Sequence, residues 1–343
     1  MRVLLRAIAL ALGAVALNAL AGSDARITIM IGGADKIVYL PAKLAEQLDY
    51  FRAEGLDVDL RTETAGIEAK DALLSGAAQG VVGFYDHTIA LQAKGKLVKS
   101  VVQFTVSTGE AELVSAKIAD VIRSPADFRG RNLGVTGLGS STSFLTRYLA
   151  LTHGVKLNEL NIIPVGAGDR FIAAMQQGVI DAGMTTEPTI SRLLKSGEAR
   201  ILVDLRTPED NIRVLGGLYP AACLYMRSSW IDGHQRQVQG LVNALVRALV
   251  YIRTKSAEDI ASAMPTQYHA GDRALYVNAI AHGKAMFTLD GRMPASGPDT
   301  VLKVMAAIDR NVQDKNIDLS RTYTTQFVAA VPQDGRLSVA KTR

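Results

Sequence analysis

Two stretches of the chain repeat one architectural phrase, and that phrase limits the fold more than any single motif. The first reads strand 26–31, a Gly32-Gly33 loop, helix 40–47, strand 57–60, a loop to Gly66 and helix 67–75. It closes with Gly76, the short apolar strand Val81-Val82-Gly83 and an acid, Asp86. The second reads strand 132–135, the loop Gly137-Leu138-Gly139, helix 140–153, strand 161–165, the loop Gly166–Gly168 and helix 170–177. It closes with Gly178, strand 180–184 and an acid, Glu187. From Gly66 to Asp86 is 20 residues, and from Gly168 to Glu187 is 19. The residues differ between the copies, so what repeats is the architecture. Alternating strands and helices build sheets covered by helices. Two such units, each aiming strand ends and helix N-termini at a shared crevice, predict an α/β chain of two lobes that close on a small solute.

The first residues read as something separate. Arg2 and Arg6 give a basic start, residues 7–17 are unbroken apolar or glycine, and Ala19-Leu20-Ala21 supplies a small-x-small cleavage pattern. This is the pattern of a secretory signal peptide over residues 1–21, too short for a spanning helix. No cysteine follows the expected cleavage site, so a lipid anchor is not expected. The mature chain is expected free in an exported compartment, most simply a bacterial periplasm.

The net charge of +5 includes Arg2 and Arg6, and without them it is only mildly positive. No dense Lys/Arg block with interleaved aromatics is present, which argues against nucleic acid as a partner. The single Cys223 lies in the apolar run 221–226 and reads as a buried structural thiol. His87, His153, His234, His269 and His282 show no metal-ligand spacing, so neither a metal nor a cofactor is expected.

Between the copies, Val98–Val106 reads as a buried strand and Ala111–Ser115 as the outbound crossing from one lobe to the other. Ala221–Met226 is the candidate return. The expected layout is therefore a first lobe over 22–115 and 221–330, a second over 116–220, and a flexible tail over 331–343. Val238, Leu241, Val242, Leu245, Val246, Leu249 and Val250 mark an amphipathic helix. With further helices around 257–264, 273–284 and 298–308, it is expected to thicken the first lobe.

The sharpest local signal is Gly137-Leu138-Gly139-Ser140-Ser141-Thr142-Ser143 between a strand and a helix. Glycines admit a close ligand, the first helical turn leaves N–H groups free, and hydroxyls add donors. Gly139, Ser140, Ser141 and Thr142 can thus hold an anionic group, although one hydroxyl capping the helix is the simpler use of such residues. The turn is not a dinucleotide fingerprint, since Thr142 stands where the third small residue belongs. It is not a nucleophile elbow or a Walker loop either, so no catalytic residue is expected.

Asp86 and Glu187 close the two copies and can hold an ammonium, amidine or ring N–H. Glu187 before Pro188 is equally a helix start. His87 reads as a ligand donor or a satisfied structural histidine. After Gly33, Tyr39 reads as a stacking surface or a core tyrosine. Gly66 marks the matching loop in the first copy. Arg170 either reaches an anion or pairs with Asp169, and Tyr219 sits where hinge residues touch a bound solute.

These residues carry a family likeness. The chain resembles the solute-binding proteins of bacterial ABC importers in the nitrate/sulfonate/taurine-type group, related to the pyrimidine-precursor binders. The likeness rests on Pro41-x-x-Leu44-Ala45 through Phe51, Glu54-Gly55-Leu56-Asp57-Val58, Ala72-Leu73-Leu74-Ser75-Gly76 and Gly139-Ser140-Ser141. It continues through the run 173–182 and Glu187-Pro188. It spans about residues 26 to 330 and gains its specificity from order and spacing.

The resemblance implies a two-lobe type II periplasmic-binding fold with two hinge crossings, and ligand contacts from the first-strand loop and the Gly66, Asp86, Gly139–Thr142 and Glu187 regions. It also implies delivery of a small anionic or zwitterionic solute to an inner-membrane permease and ATPase, by a monomeric and non-enzymatic receptor. Asp86-His87-Thr88 matches no defined ligand of the group, so no particular solute is implied. The alternatives are a pyrimidine-precursor binder or enzyme on the same fold, or a binding protein linked to a sensor.

Overall fold

The computed structural model describes residues 26–331 except Ala270. The expected leader, residues 1–21, and all but the first residue of the expected tail lie outside the described residues.

Ten strands form two sheets: β1 (Ile27–Ile31), β2 (Val58–Thr62), β3 (Gly80–Phe84), β4 (Val98–Gln103), β5 (Glu110–Ser115), β6 (Asn132–Val135), β7 (Asn161–Pro164), β8 (Ala182–Thr186), β9 (Ala199–Leu205) and β10 (Ala222–Arg227). The first sheet has the order β2–β1–β3–β10–β4 and the second the order β7–β6–β8–β5–β9. In each, the first three strands are parallel and the fourth is antiparallel to both neighbours. The repeat in the sequence is thus a repeat of sheet topology. Parallel strands joined by helical crossovers make each half, and each sheet is completed by a strand that has just arrived from the other lobe.

That arrangement corrects the expected crossings. Residues 111–115 are not a connection but the interior of β5, buried between β8 and β9. The outbound connection is residues 104–109, and the return falls between residue 215 and β10. The two connections are stitched together at one point: Phe104 N donates to Ala222 O at 2.7 Å and Ala222 N donates to Thr105 Oγ1 at 3.0 Å. Gln103 Nε2 adds a bond to the same Ala222 carbonyl at 3.0 Å.

The long helix Gln235–Thr254 forms as its spacing predicts, with Val238, Leu241, Val242, Leu245, Val246 and Leu249 all buried. It packs on the helix Leu40–Gln47 and anchors the large core of the first lobe. The second lobe holds two smaller clusters. Leu113, Phe171, Met175, Ile190 and Leu193 belong to one, and Val114, Phe128, Leu133 and Val155 to the other. Leu113 and Val114 are neighbours on β5, so the alternating faces of the strand serve both.

Not all C-terminal helices belong to the first lobe alone. Gly297–Ile308 touches Asp86–Ala93 in the first lobe and Ser141–Thr152 in the second. Arg273–Gly283 likewise reaches Thr189–Lys195.

Candidate functional site

The lobes meet over a closed crevice. Ile37 N in the first lobe donates to Glu187 O in the second at 3.1 Å. A side-chain carbon added at Gly137 would lie 3.0 Å from Ile67 Cγ2 and 3.2 Å from Ala65 Cβ, so glycine there lets the second-lobe loop seat on the first lobe. A similar economy operates within the first lobe. A carbon added at Gly32 would lie 2.7 Å from Gly66 Cα, so these two glycines bring the first-strand loop onto the start of the helix Gly66–Ser75.

Between the lobes lies a cavity of about 10 Å³, close to the room one ordered water requires. The first lobe lines it with Lys36, Tyr39, Gly66, Phe84 and His87, the second with Glu110, Thr136, Ser140, Ser141, Thr142 and Thr186. Lys36, Tyr39 and Gly66 follow β1 and β2, and the rest sit at or just past the carboxyl ends of β3, β6 and β8 and at the facing end of β5. The antiparallel register that sets Glu110 beside Thr186 brings that acid to the crevice.

The first-lobe wall is aromatic with a buried acid behind it. Tyr39 meets Phe84 edge-on at 6.1 Å between ring centres, and His87 meets Tyr225 at 6.1 Å and Phe144 at 6.3 Å in the same way. His87 Nδ1 is 3.2 Å from Tyr225 Oη, while its Nε2 is buried without a hydrogen-bond partner. Burial pushes the imidazole down to about 3, so the ring is neutral at physiological pH. Tyr219 Oη donates to Asp86 Oδ2 at 3.1 Å. Asp86 Oδ1 is unpartnered, with the Ser141 hydroxyl nearby but not closing a well-formed bond. Burial raises this carboxyl to about 6, against the Ser141 and Tyr219 hydroxyls, which favour its charged form.

The second-lobe wall is polar. Ser140 Oγ donates to Gly137 O at 2.6 Å and lies 3.1 Å from Thr136 Oγ1 and 2.8 Å from Thr142 Oγ1. Thr136 N donates to Thr142 Oγ1 at 3.0 Å. No side chain caps the helix Ser141–Thr152. The hydroxyls therefore brace the loop, and the first-turn N–H groups remain the features able to meet an anion. Glu110 Oε2 and Thr186 Oγ1 are buried without partners. Burial lifts the Glu110 carboxyl well above its ordinary range, Asp86 reinforces this, and Lys36 opposes it. Lys36 Nζ donates to Gly32 O at 2.6 Å, and burial lowers its pKa.

Of the residues named from sequence, Tyr39, Gly66, His87, Ser140, Ser141 and Thr142 line the cavity. Asp86 and Tyr219 stand behind it, and Gly33 and Gly139 shape its loops at φ 105° and 81°. Two fall elsewhere. Arg170 is exposed and borders the outer mouth between the lobes, while Asp169 pairs with Arg192 at 2.6 Å. Glu187 has both oxygens engaged: Oε1 accepts from Arg206 Nη1 at 2.9 Å and Oε2 from Ser191 N at 3.0 Å. It holds the start of the helix Thr189–Lys195, and only its carbonyl reaches across the crevice. Sequence reasoning missed Lys36, Phe84, Glu110, Thr136 and Thr186. Glu110 and Glu112 inside an otherwise apolar strand were the available signal.

This geometry, two like lobes around a closed polar cavity, defines a periplasmic-binding-type fold. The profile of the family described as NMT1/THI5 like matches residues 37–258. A solved protein from Bordetella bronchiseptica RB50 is similar at 35% identity and TM-score 0.88, covering 91% of this chain and 98% of that one. The alkanesulfonate-binding protein SsuA from Xanthomonas axonopodis pv. citri, bound to MOPS, shares the fold at 19% identity and TM-score 0.68, with 89% of this chain and 100% of that chain covered. The periplasmic nitrate-binding protein NrtA from Synechocystis PCC 6803 does so at 12% identity and TM-score 0.71, covering 91% of each chain. No protein of curated function matches. The chain belongs to the NMT1/THI5-like family.

Proposed function

We propose that this chain is the periplasmic receptor of an ABC importer, exported by the leader at residues 1–21, closing on a small organic solute and handing it to a membrane permease. One observation carries the reading: buried polar atoms without partners, from both lobes, converge on a single interlobe cavity. Glu110 Oε2 and Thr186 Oγ1 come from the second lobe and His87 Nε2 from the first. Unpartnered buried polar groups are costly, and a bound solute that satisfies them favours the closed form over the open one. Likeness in fold to an alkanesulfonate-binding protein and a periplasmic nitrate-binding protein supports a transport role.

Binding rather than catalysis fits the groups present. Cys223 is buried on β10, where burial raises its pKa, away from the cavity lining. No helix among the described residues is long and apolar enough to cross a membrane. Of the solute classes expected from sequence, the zwitterionic end suits this cavity better than the purely anionic, because its lining sets Lys36 and helix N–H groups against the Glu110 carboxyl.

A thermal-shift screen of the chain after the leader, against nitrate, alkanesulfonates, taurine, aromatic acids and pyrimidine precursors, tests the reading. A solute bound only by the folded state raises the melting temperature by mass action. Ser141→Leu should weaken that solute's binding at least about tenfold without unfolding the protein. Unchanged affinity in this variant would remove the helix start from the site.

A further inference from the structure

We infer that residues 286–323 form a splint that fixes both interlobe connections to the first lobe and confines the hinge to two short pivots, Val106-Ser107 and Gly216-Gly217. The inference goes beyond the receptor reading and does not depend on which solute is bound.

Hydrogen bonds divide the outbound connection between the lobes. Val106 N donates to Met286 O at 2.8 Å, Thr288 N to Phe104 O at 2.7 Å and Gln103 N to Gly291 O at 2.8 Å. Thr288 Oγ1 adds a bond to Gln103 O at 2.8 Å. Residues 103–106 are therefore held by the 286–291 segment as well as by Ala222, which is support of the kind a strand receives inside a sheet. One residue later the allegiance changes. Ser107 Oγ donates to Arg206 O at 3.0 Å, Thr108 Oγ1 to Leu205 O at 2.9 Å and Thr108 N to Asn211 Oδ1 at 3.2 Å, all in the second lobe. These bonds leave the turn between Val106 and Ser107 as the place where one lobe rotates against the other.

The return connection is divided in the same way. Asn211 binds the helix Pro208–Leu215 to Thr108 and so to the second lobe. From Gly217 onward the chain lies against the helix Gly297–Ile308. A side-chain carbon added at Gly217 would lie 2.3 Å from Thr300 Oγ1, and one added at Gly297 would lie 2.6 Å from Pro220 Cδ. Positions 297 and 300 share one face of the helix, and that face seats the connection at a distance only glycine permits. Gly216 stands between the two allegiances at φ 86°. Beyond the helix, the chain is fastened to the first lobe. Gln92 Nε2 donates to Asp318 O at 2.9 Å, Asp318 N donates to Gln92 Oε1 at 2.7 Å, and Ser100 N donates to Thr322 O at 2.9 Å.

The splint also touches what moves. Its helix packs on Ser141–Thr152 of the second lobe, where Leu145 and Leu149 share a buried cluster with Val301 and Val304. The first turn of that second-lobe helix lines the interlobe cavity. Opening must shear this apolar contact while both connections stay in place, so the splint resists opening and couples it to the cavity wall.

Amide hydrogen exchange on the full chain, without added solute, is the first test. The amides of Gln103, Val106 and Thr288 should exchange at least about tenfold more slowly than those of Gly217 and Leu218. Exchange at Val106 and Thr288 as fast as at Gly217 overturns the inference. The second test reads the interlobe distance by double electron–electron resonance, with spin labels on Asp71→Cys and Gln177→Cys. Both positions are exposed and lie at matching helices of the two lobes, while Cys223 is buried. Gly217→Ala has to displace Thr300 by about 1 Å to reach an ordinary contact. The lobes magnify that movement, so the distance distribution should shift, and adding Thr300→Ala should restore it. An unchanged distribution in Gly217→Ala overturns the inference. A shift that Thr300→Ala fails to reverse does so as well, because the glycine would then act through its own backbone. If Gly217→Ala does not fold, the exchange rates of the unaltered chain decide alone.

Discussion

The two lobes share a strand order but not a means of support. The first surrounds its sheet with the helix Gln235–Thr254 and its C-terminal neighbours, and its core runs from Ile27 to Val331 as one cluster that also takes in Leu145, Leu149, Met184 and Leu205 from the facing side of the second lobe. The second sandwiches its sheet between two separate, smaller clusters on either face. The same contrast holds at the crevice, where the first lobe offers rings backed by Asp86 and the second offers hydroxyls and Glu110. Equal topology thus serves unequal duties: one lobe is a braced platform, the other a lighter cover carrying most of the polar surface.

The largest test of this contrast removes matched core side chains. Leu245→Ala in the long helix should cost about 4 kcal/mol of unfolding free energy, because a dense, crowded core closes poorly around a cavity. Leu193→Ala in the second lobe should cost about 2 kcal/mol, where a small cluster can settle inward. Urea titrations of both variants check the order, and equal losses would dissolve the distinction between platform and cover.

A second test uses Glu112, buried on β5 with Oε2 accepting from Thr146 Oγ1 at 2.7 Å and Oε1 unpartnered. Burial raises its pKa from 4.5 to about 8. The folded protein then keeps a proton that the unfolded chain has already lost. Stability is fullest below about 4.5 and falls as pH rises toward about 8. The slope from this group is at most about 1.4 kcal/mol per pH unit. Glu112→Gln should remove this group's share of the slope, leaving the declines of the same sign from Glu110 and from Asp86, the latter ending near 6. Chemical denaturation across that range would show it, and an unaltered profile would mean that Glu112 is ionised in the fold.

The smallest test concerns a tie between the lobes. Lys195, on the second-lobe helix Thr189–Lys195, forms an ion pair with Asp272, which caps the first-lobe helix Arg273–Gly283 through Leu275 N at 3.0 Å. Both are solvent-facing, so Lys195→Met should change apparent solute affinity by no more than about threefold, and the change should vanish at high salt. A larger, salt-insensitive change would make this pair a latch rather than a trim.

The comparison also shows what a sequence can disclose. Strands and helices were legible because each carried local marks: alternation in Ile27–Ile31, the 3.6-residue stripe from Val238 to Leu249, and Gly76 and Gly178 just past helix ends. The outbound crossing was misplaced because residues 111–115 look extended whether they connect two sheets or sit inside one. Only pairing with β8 and β9, some 70 to 90 residues away, decides between the two. Glu110 escaped notice for the same reason, since nothing local says that β5 ends beside Thr186. Glu187 showed the reverse limit. An acid before a proline was visible, but its engagement by Arg206, 19 residues on, was not.

The exchange of the fourth strand between the sheets has a consequence for how the chain matures. Residues 110–215 carry every strand of the second sheet in one unbroken segment, whereas the first sheet lacks its β10 until residues 222–227 appear. During synthesis, β3 and β4 must wait with open edges while more than a hundred further residues emerge. Such edges invite unwanted pairing. The half that begins the polypeptide is therefore the last to be finished, and a helper that shields nascent segments has its longest task there.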